Sequence, residues 1–183
     1  MDSQNQAHFQ VGDEIIYALH GKCRVLAVEN REIGEEAIPF YKLEVMKSNL
    51  SRSTKQEPNI WLPVNSAPQR GLRPLMTEDA CEEAIQILNS REFYFNPRDS
   101  WNILQPLLER TLHMEGGAGM AKVFSFLHVL KQRQIVPTPE VQKLFDGVSR
   151  VLFREICETL KIAPKTLEDR IRKGLRQKLA ADQ

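Results

Sequence analysis

The chain has 183 residues, 42% of them hydrophobic and 27% charged, with a formal net charge of +1. That is ordinary globular composition, long enough for one large domain or two small ones, and it excludes a nucleic-acid binder driven by global charge. The three cysteines are widely spaced and form no C-x-x-C pair, no signal peptide stands out and no apolar run approaches a membrane span, so free thiols in a reducing cytoplasm are expected.

Residues 1–8 are polar and are expected to be disordered. From Phe9 to Met76 the pattern is that of strands. FQVGDEIIY (Phe9 to Tyr17) holds a turn-like Gly12-Asp13 and then a β-rich run, and Gly21 breaks it. RVLAVE from Arg24 is a second strand, and Arg31 to Glu36 reads as a hairpin connection. FYKLEV from Phe40 alternates apolar and polar at period two, as a half-buried strand does. Residues 47–58 are a polar loop. IWLPV from Ile60 is a short strand that Pro63 places at a sheet edge, and RGLRPL from Arg70 closes the region. Short strands in this number predict a small five-stranded barrel of the SH3 or Tudor type.

After Met76 the period changes. Thr77 is a helix N-cap, with Glu78 and Asp79 suited to the first turn, and Cys81, Ala84, Ile85 and Leu88 mark one face. A second helix is expected from Asp99 to His113, with Leu104, Leu107, Leu108 and Leu112 apolar. The glycines of Glu115 to Gly119 read as a linker. A third helix turns Val123, Phe126, Leu127 and Leu130 inward. Thr138 and Pro139 open the fourth and longest, and Pro164 opens a fifth, with Leu167, Ile171, Leu175 and Leu179 four apart. The expected fold class is therefore α+β: the barrel over 9–76, then an all-α bundle of about five helices over 77–183.

No phosphate-cradling glycine motif, metal-ligand spacing or nucleophile set is present, so no catalytic residue, metal or cofactor is expected. The four histidines are scattered, and the glycines after Glu115 follow a helix rather than a strand. The densest local charge is C-terminal: Lys165, Arg170, Arg172, Lys173, Arg176 and Lys178 against Glu168, Asp169 and Asp182. A solvated helix face is the simpler reading of that cluster, and a phosphate-binding patch is the alternative.

The order of parts resembles the CarD family of bacterial transcription regulators, also called CdnL-like proteins. FQVGDEIIYALHG from Phe9 is similar to that family's F-x-x-G-D-x-V-x-Y-P-x-H-G opening. The likeness continues through AVENREI from Ala27, FYKLEV from Phe40, LPVN from Leu62 and GLR from Gly71, and reaches a Trp in the place of Trp101. It covers Phe9 to about Ile162. The resemblance implies a non-enzymatic protein whose Tudor-like barrel, shared with the transcription-repair coupling factor, docks on the β-subunit lobe of RNA polymerase. It also implies a helical domain that touches promoter DNA, with the Trp as a minor-groove wedge that stabilises the open complex. Arg31, Ile60, Trp61 and Leu62 would then face the polymerase, and Trp101, Arg98 and Asn102 the DNA. No membrane and no small-molecule substrate are implied.

The departures fall on those working parts. Basic and aromatic residues follow the Trp in the family, of W-x-R-R-Y-[KR] type; here Ile103 and Leu104 stand in the arginine positions and Pro106 in the next basic one. Weak DNA contact is the consequence, and a bend or shortening of the helix at Pro106 is expected. Ala18 replaces the family's proline after the Tyr, and Trp61 an expected basic residue. The alternative function is an adaptor of the same fold that has lost DNA contact and binds another protein.

Overall fold

The computed structural model describes residues 9–46, 58–132 and 139–181. The tail 1–8, nearly all of the loop 47–58, Thr138 and the side chain of Leu179 lie outside the described residues. The chain forms two compact units, Met1–Leu75 and Met76–Gln183.

The first unit is a five-stranded antiparallel sheet. Its strands are β1 (Glu14–Tyr17), β2 (Gly21–Ile33), β3 (Glu36–Val45), β4 (Ile60–Pro63) and β5 (Leu72–Pro74), in the order β4-β3-β2-β1-β5. The expected barrel does not close, because β4 and β5 remain its edges. Both edges are short and carry a proline, which brings no N–H to a ladder. Ile15, Cys23, Val25, Tyr41, Leu43 and Leu62 form the core, joined by Val64, Ala67 and Leu72. Gly12 (φ 97) and Asp13 earn their place locally: the Asp13 carboxylate accepts from the Gln10 N–H at 2.7 Å, and the Gly12 N–H donates to Val25 at 2.8 Å.

Residues Arg31 to Glu36 form the expected hairpin connection. β2 and β3 pair as far as Ile33↔Glu36, which leaves a two-residue turn, Gly34-Glu35. Gly34 has φ 67, and glycine at the first central position of a tight hairpin lets the ladder run this far. The departure at Ala18 has a backbone cause too. Ala18 has φ 40, which a proline ring forbids, and its N–H donates to Gly71 at 3.0 Å, which proline could not do.

The second unit is five helices: α1 (Glu78–Asn89), α2 (Trp101–Met114), α3 (Gly116–Gln132), α4 (Pro139–Leu160) and α5 (Pro164–Ala181). Thr77 caps α1, its hydroxyl accepting from the Ala80 N–H at 3.2 Å. α3 packs against all four other helices. Phe124, Ser125 and Val129 are therefore buried beside the expected inward residues, and the one-sided pattern blurs.

The glycines after Glu115 belong to α3 and are not a linker. A Cβ on Gly119 would stand 2.3 Å from the Thr111 carbonyl oxygen, and one on Gly117 2.0 Å from the Met76 sulfur. Close approach, not flexibility, is what these glycines supply. Pro106 lies inside α2, which continues to Met114 and is not shortened. Asn102, whose carbonyl loses the usual donor, is exposed to water. In α4 the buried Glu155 carboxylate accepts from the Met76 N–H at 2.8 Å and fastens the start of the unit.

Candidate partner-binding site

The sheet's outer face is built by a register break. Val25 pairs with Leu43 but Ala27 pairs with Lys42, so Leu26 is an extra residue in β2. Such a bulge reverses the alternation beyond it. Cys23 and Val25 point into the core; Ala27, Glu29 and Arg31 pair with Lys42, Phe40 and Ile38 on the opposite face. Lys42 in turn pairs with Trp61. A strict period of two would have sent Arg31 inward with Cys23 and Val25. The bulge instead brings it to the face of Trp61.

There the Arg31 guanidinium lies 3.6 Å from the centre of the Trp61 ring, and the Lys42 ammonium 5.3 Å from it. Arg31 is exposed; Trp61 and Lys42 are half-buried. The attraction of a cation for the ring's negative face orients both partners, at about 0.5–1 kcal/mol for a contact open to water. Phe40, Ala27 and Ile38 on the same face are buried or half-buried, so the charges stand on apolar ground, with Glu29 exposed beside them. The arrangement suits a partner that brings a carboxylate to the cations and an apolar side chain to the ring.

Of the other expected polymerase residues, Ile60 is half-buried against the core cluster and Leu62 is 1% exposed within it. Leu62 pairs with Tyr41, an inward residue, and so is removed from the contact surface. Lys42 was not among the expected contacts. The alternation of Phe40 to Val45 carried the signal, since it opposes Lys42 to the inward Leu43.

The DNA candidates gather at the start of α2. An Asn96–Asp99 turn precedes it: the Asn96 side chain accepts from the Arg98 N–H at 3.1 Å and donates to Asp99 at 2.9 Å. This leaves Arg98 exposed. The helix begins two residues later than expected, and the Ser100 carbonyl accepts from the Ile103 and Leu104 N–H groups. Trp101 precedes Leu104, Leu108 and Leu112 by three, seven and eleven positions, which places it on their buried face. It is half-buried, while Asn102 is exposed. The outer face of α2 is apolar instead: Ile103 is 58%, Leu107 42% and Met114 61% exposed. Leu107, one of the apolar residues of this helix, follows Ile103 rather than Leu104.

Other reactive side chains are subdued. Burial pushes the Cys157 thiol up, away from thiolate, and burial beside Phe124 and Phe145 pushes His128 down. All three cysteines are free. Among the described residues no cluster of three or more His, Cys, Asp or Glu could hold a metal ion, and no helix is long and apolar enough to cross a membrane.

Residues 9–76 match the family model of the CarD-like/TRCF RID domain, so this unit is similar to that domain. That domain is an RNA polymerase-interacting one, so the sheet unit belongs to transcription-related protein interaction. The match ends where the helical unit begins. No curated protein matches the chain.

Proposed function

We propose that the chain is a cytoplasmic, non-enzymatic transcription regulator that binds the β-subunit lobe of RNA polymerase through the outer face of β2, β3 and β4. The observation that carries this reading is the guanidinium of Arg31 set 3.6 Å over Trp61, within a domain of the polymerase-interacting family. Arg31 and Lys42 would meet carboxylates of the lobe while Trp61, flanked by Ile60, supplies the apolar anchor. The test is retention of the full chain on an immobilised β-lobe. The wild type is expected to be held and Arg31→Glu to be lost; equal retention of both overturns the proposal.

In the same reading the helical unit adjusts open-complex stability by touching promoter DNA in the minor groove through Trp101, with Arg98 and Asn102 beside it. Trp101→Ala then shortens open-complex lifetime. A second reading, an adaptor that has lost DNA contact, is favoured by the exposed Ile103, Leu107 and Met114, an apolar face on which Ile103 stands in one of the family's arginine positions. Unchanged open complexes with Trp101→Ala, while the β-lobe still retains the chain, select the adaptor.

A further inference from the structure

We propose that the outer face of α5 is a contact surface for the phosphate backbone of duplex DNA, on a different helix from Trp101. Lys165, Arg172 and Arg176 are spaced by seven and four residues, and Lys173 stands beside them. At about 100° per residue these four fall within one arc of about 100°, spread along about 16 Å of helix. All four are exposed. The same arc holds one acid, Asp169, which lies 3.1 Å from Arg172. Lys165, Lys173 and Arg176 have no ion pair among the described residues.

The other cations of α5 are occupied inside the fold. Arg170 grips both oxygens of Glu82, at 2.6 and 3.2 Å, and buried Lys178 donates to the Ser125 hydroxyl. The opposite side of α5 holds it in place. Leu167, Ile171 and Leu175 are buried, and Gly174 lies so close to α1 that a Cβ there would stand 2.3 Å from the Asn89 Cα. The stripe is thus fixed on a rigid element.

The helix dipole does not account for the arrangement. It favours cations at the C-terminal end, which suits Arg176, but it disfavours Lys165 in the first turn. A lipid surface is disfavoured because the apolar residues that would insert are turned into the bundle. Duplex DNA, by contrast, presents one phosphate per about 1.7 Å of axis, so a stretch as long as the stripe offers about nine. Two arginines among the four add forked donors suited to phosphate.

The measurement is fluorescence anisotropy of a labelled 25-base-pair duplex of arbitrary sequence with the full chain, across a salt series. Three proteins are compared: wild type, the variant Lys165→Ala/Lys173→Ala/Arg176→Ala, and the charge-matched control Arg91→Ala/Lys143→Ala/Lys161→Ala. Circular dichroism checks that each is folded. The stripe variant is expected to bind at least about tenfold more weakly, with the slope of log K against log salt reduced by about 2–3. The control should keep wild-type behaviour. Absence of wild-type binding at low salt, equal loss in both variants, or stripe-dependent binding to phosphatidylserine vesicles but not to the duplex overturns the proposal. None of these readouts involves polymerase, so the β-lobe retention test stands or falls separately.

Discussion

Each unit places one aromatic ring near two cations, and the cations differ in burial. On the sheet, Arg31 and Lys42 lie 3.6 and 5.3 Å from the Trp61 ring, on a face open to water. In the helical unit, Lys122 and Lys178 lie 5.3 and 5.5 Å from the Tyr94 ring, but Lys178 is only 1% exposed. The outward cations keep most of their hydration and remain available to a partner. The inward one is desolvated, which pushes the Lys178 ammonium down to about 8 against the raising influence of Glu92. The same residue types therefore make a solvent-facing cation–ring contact in one place and a cost to stability in the other.

The contrast depends first on Trp61 facing out while Leu62 faces in, and adjacent substitutions break it most severely. Leu62→Ala should destabilise by about 2–5 kcal/mol, as large-to-small changes in a close-packed core do. Trp61→Ala should cost much less in stability and yet reduce retention on the β-lobe. Urea unfolding and the retention assay on both variants check the pair. Similar stability losses would mean that Trp61 is a core residue.

Glycine supplies the next largest effect, and it tests how tightly the helical unit is closed. Gly119→Ala must displace the Thr111 backbone, and about 1–3 kcal/mol of destabilisation is expected. Gly117→Ala meets only the flexible end of Met76, and the better helix propensity of alanine offsets the contact. Thermal unfolding should separate the two variants clearly.

These two tests also mark what was legible in the sequence. Period-two and period-four patterns gave the order of five strands and five helices, the cap at Thr77 and the edge position of Pro63. Three things stayed hidden because they arise from packing between distant segments. The glycines after Glu115 resemble a linker until the Thr111 carbonyl is brought against them. The bulge at Leu26 is invisible to a pattern count, although it decides which face Arg31 takes. Leu107 has the spacing of an inward residue, yet α2 meets its neighbours along Leu104, Leu108 and Leu112. Among the candidate site residues, Arg31 and Trp61 come together; Leu62 does not join them, and Lys42 takes its place.

The buried cation gives a pH signature that the exposed ones lack. A base whose pKa is lowered by folding is charged in both states below about 8, so the penalty of Lys178 is fully present there. Between that value and the unfolded lysine value of about 10.4 the unfolded chain holds more protons, and stability rises with pH by on the order of 3 kcal/mol. Once neutral, the Lys178 amine can accept from Ser125 instead of donating to it. Lys178→Met removes the charge while keeping the volume, so it should be more stable than wild type at pH 7, with the gap closing towards pH 10. A gap independent of pH would show that folding leaves the Lys178 ammonium at its unfolded pKa.

The smallest expected effect is the coupling within the outward pair. In a double-mutant cycle of Arg31→Ala and Trp61→Ala followed by urea unfolding, the interaction energy should be about 0.5–1 kcal/mol, the range of an exposed cation over a ring. The same cycle read by β-lobe affinity should give a larger coupling, because complex formation excludes water from the pair and strengthens its electrostatic attraction. Equal values in the two readouts would mean that Arg31 and Trp61 stay in water when the polymerase is bound, and the contact would then have to lie elsewhere on the sheet.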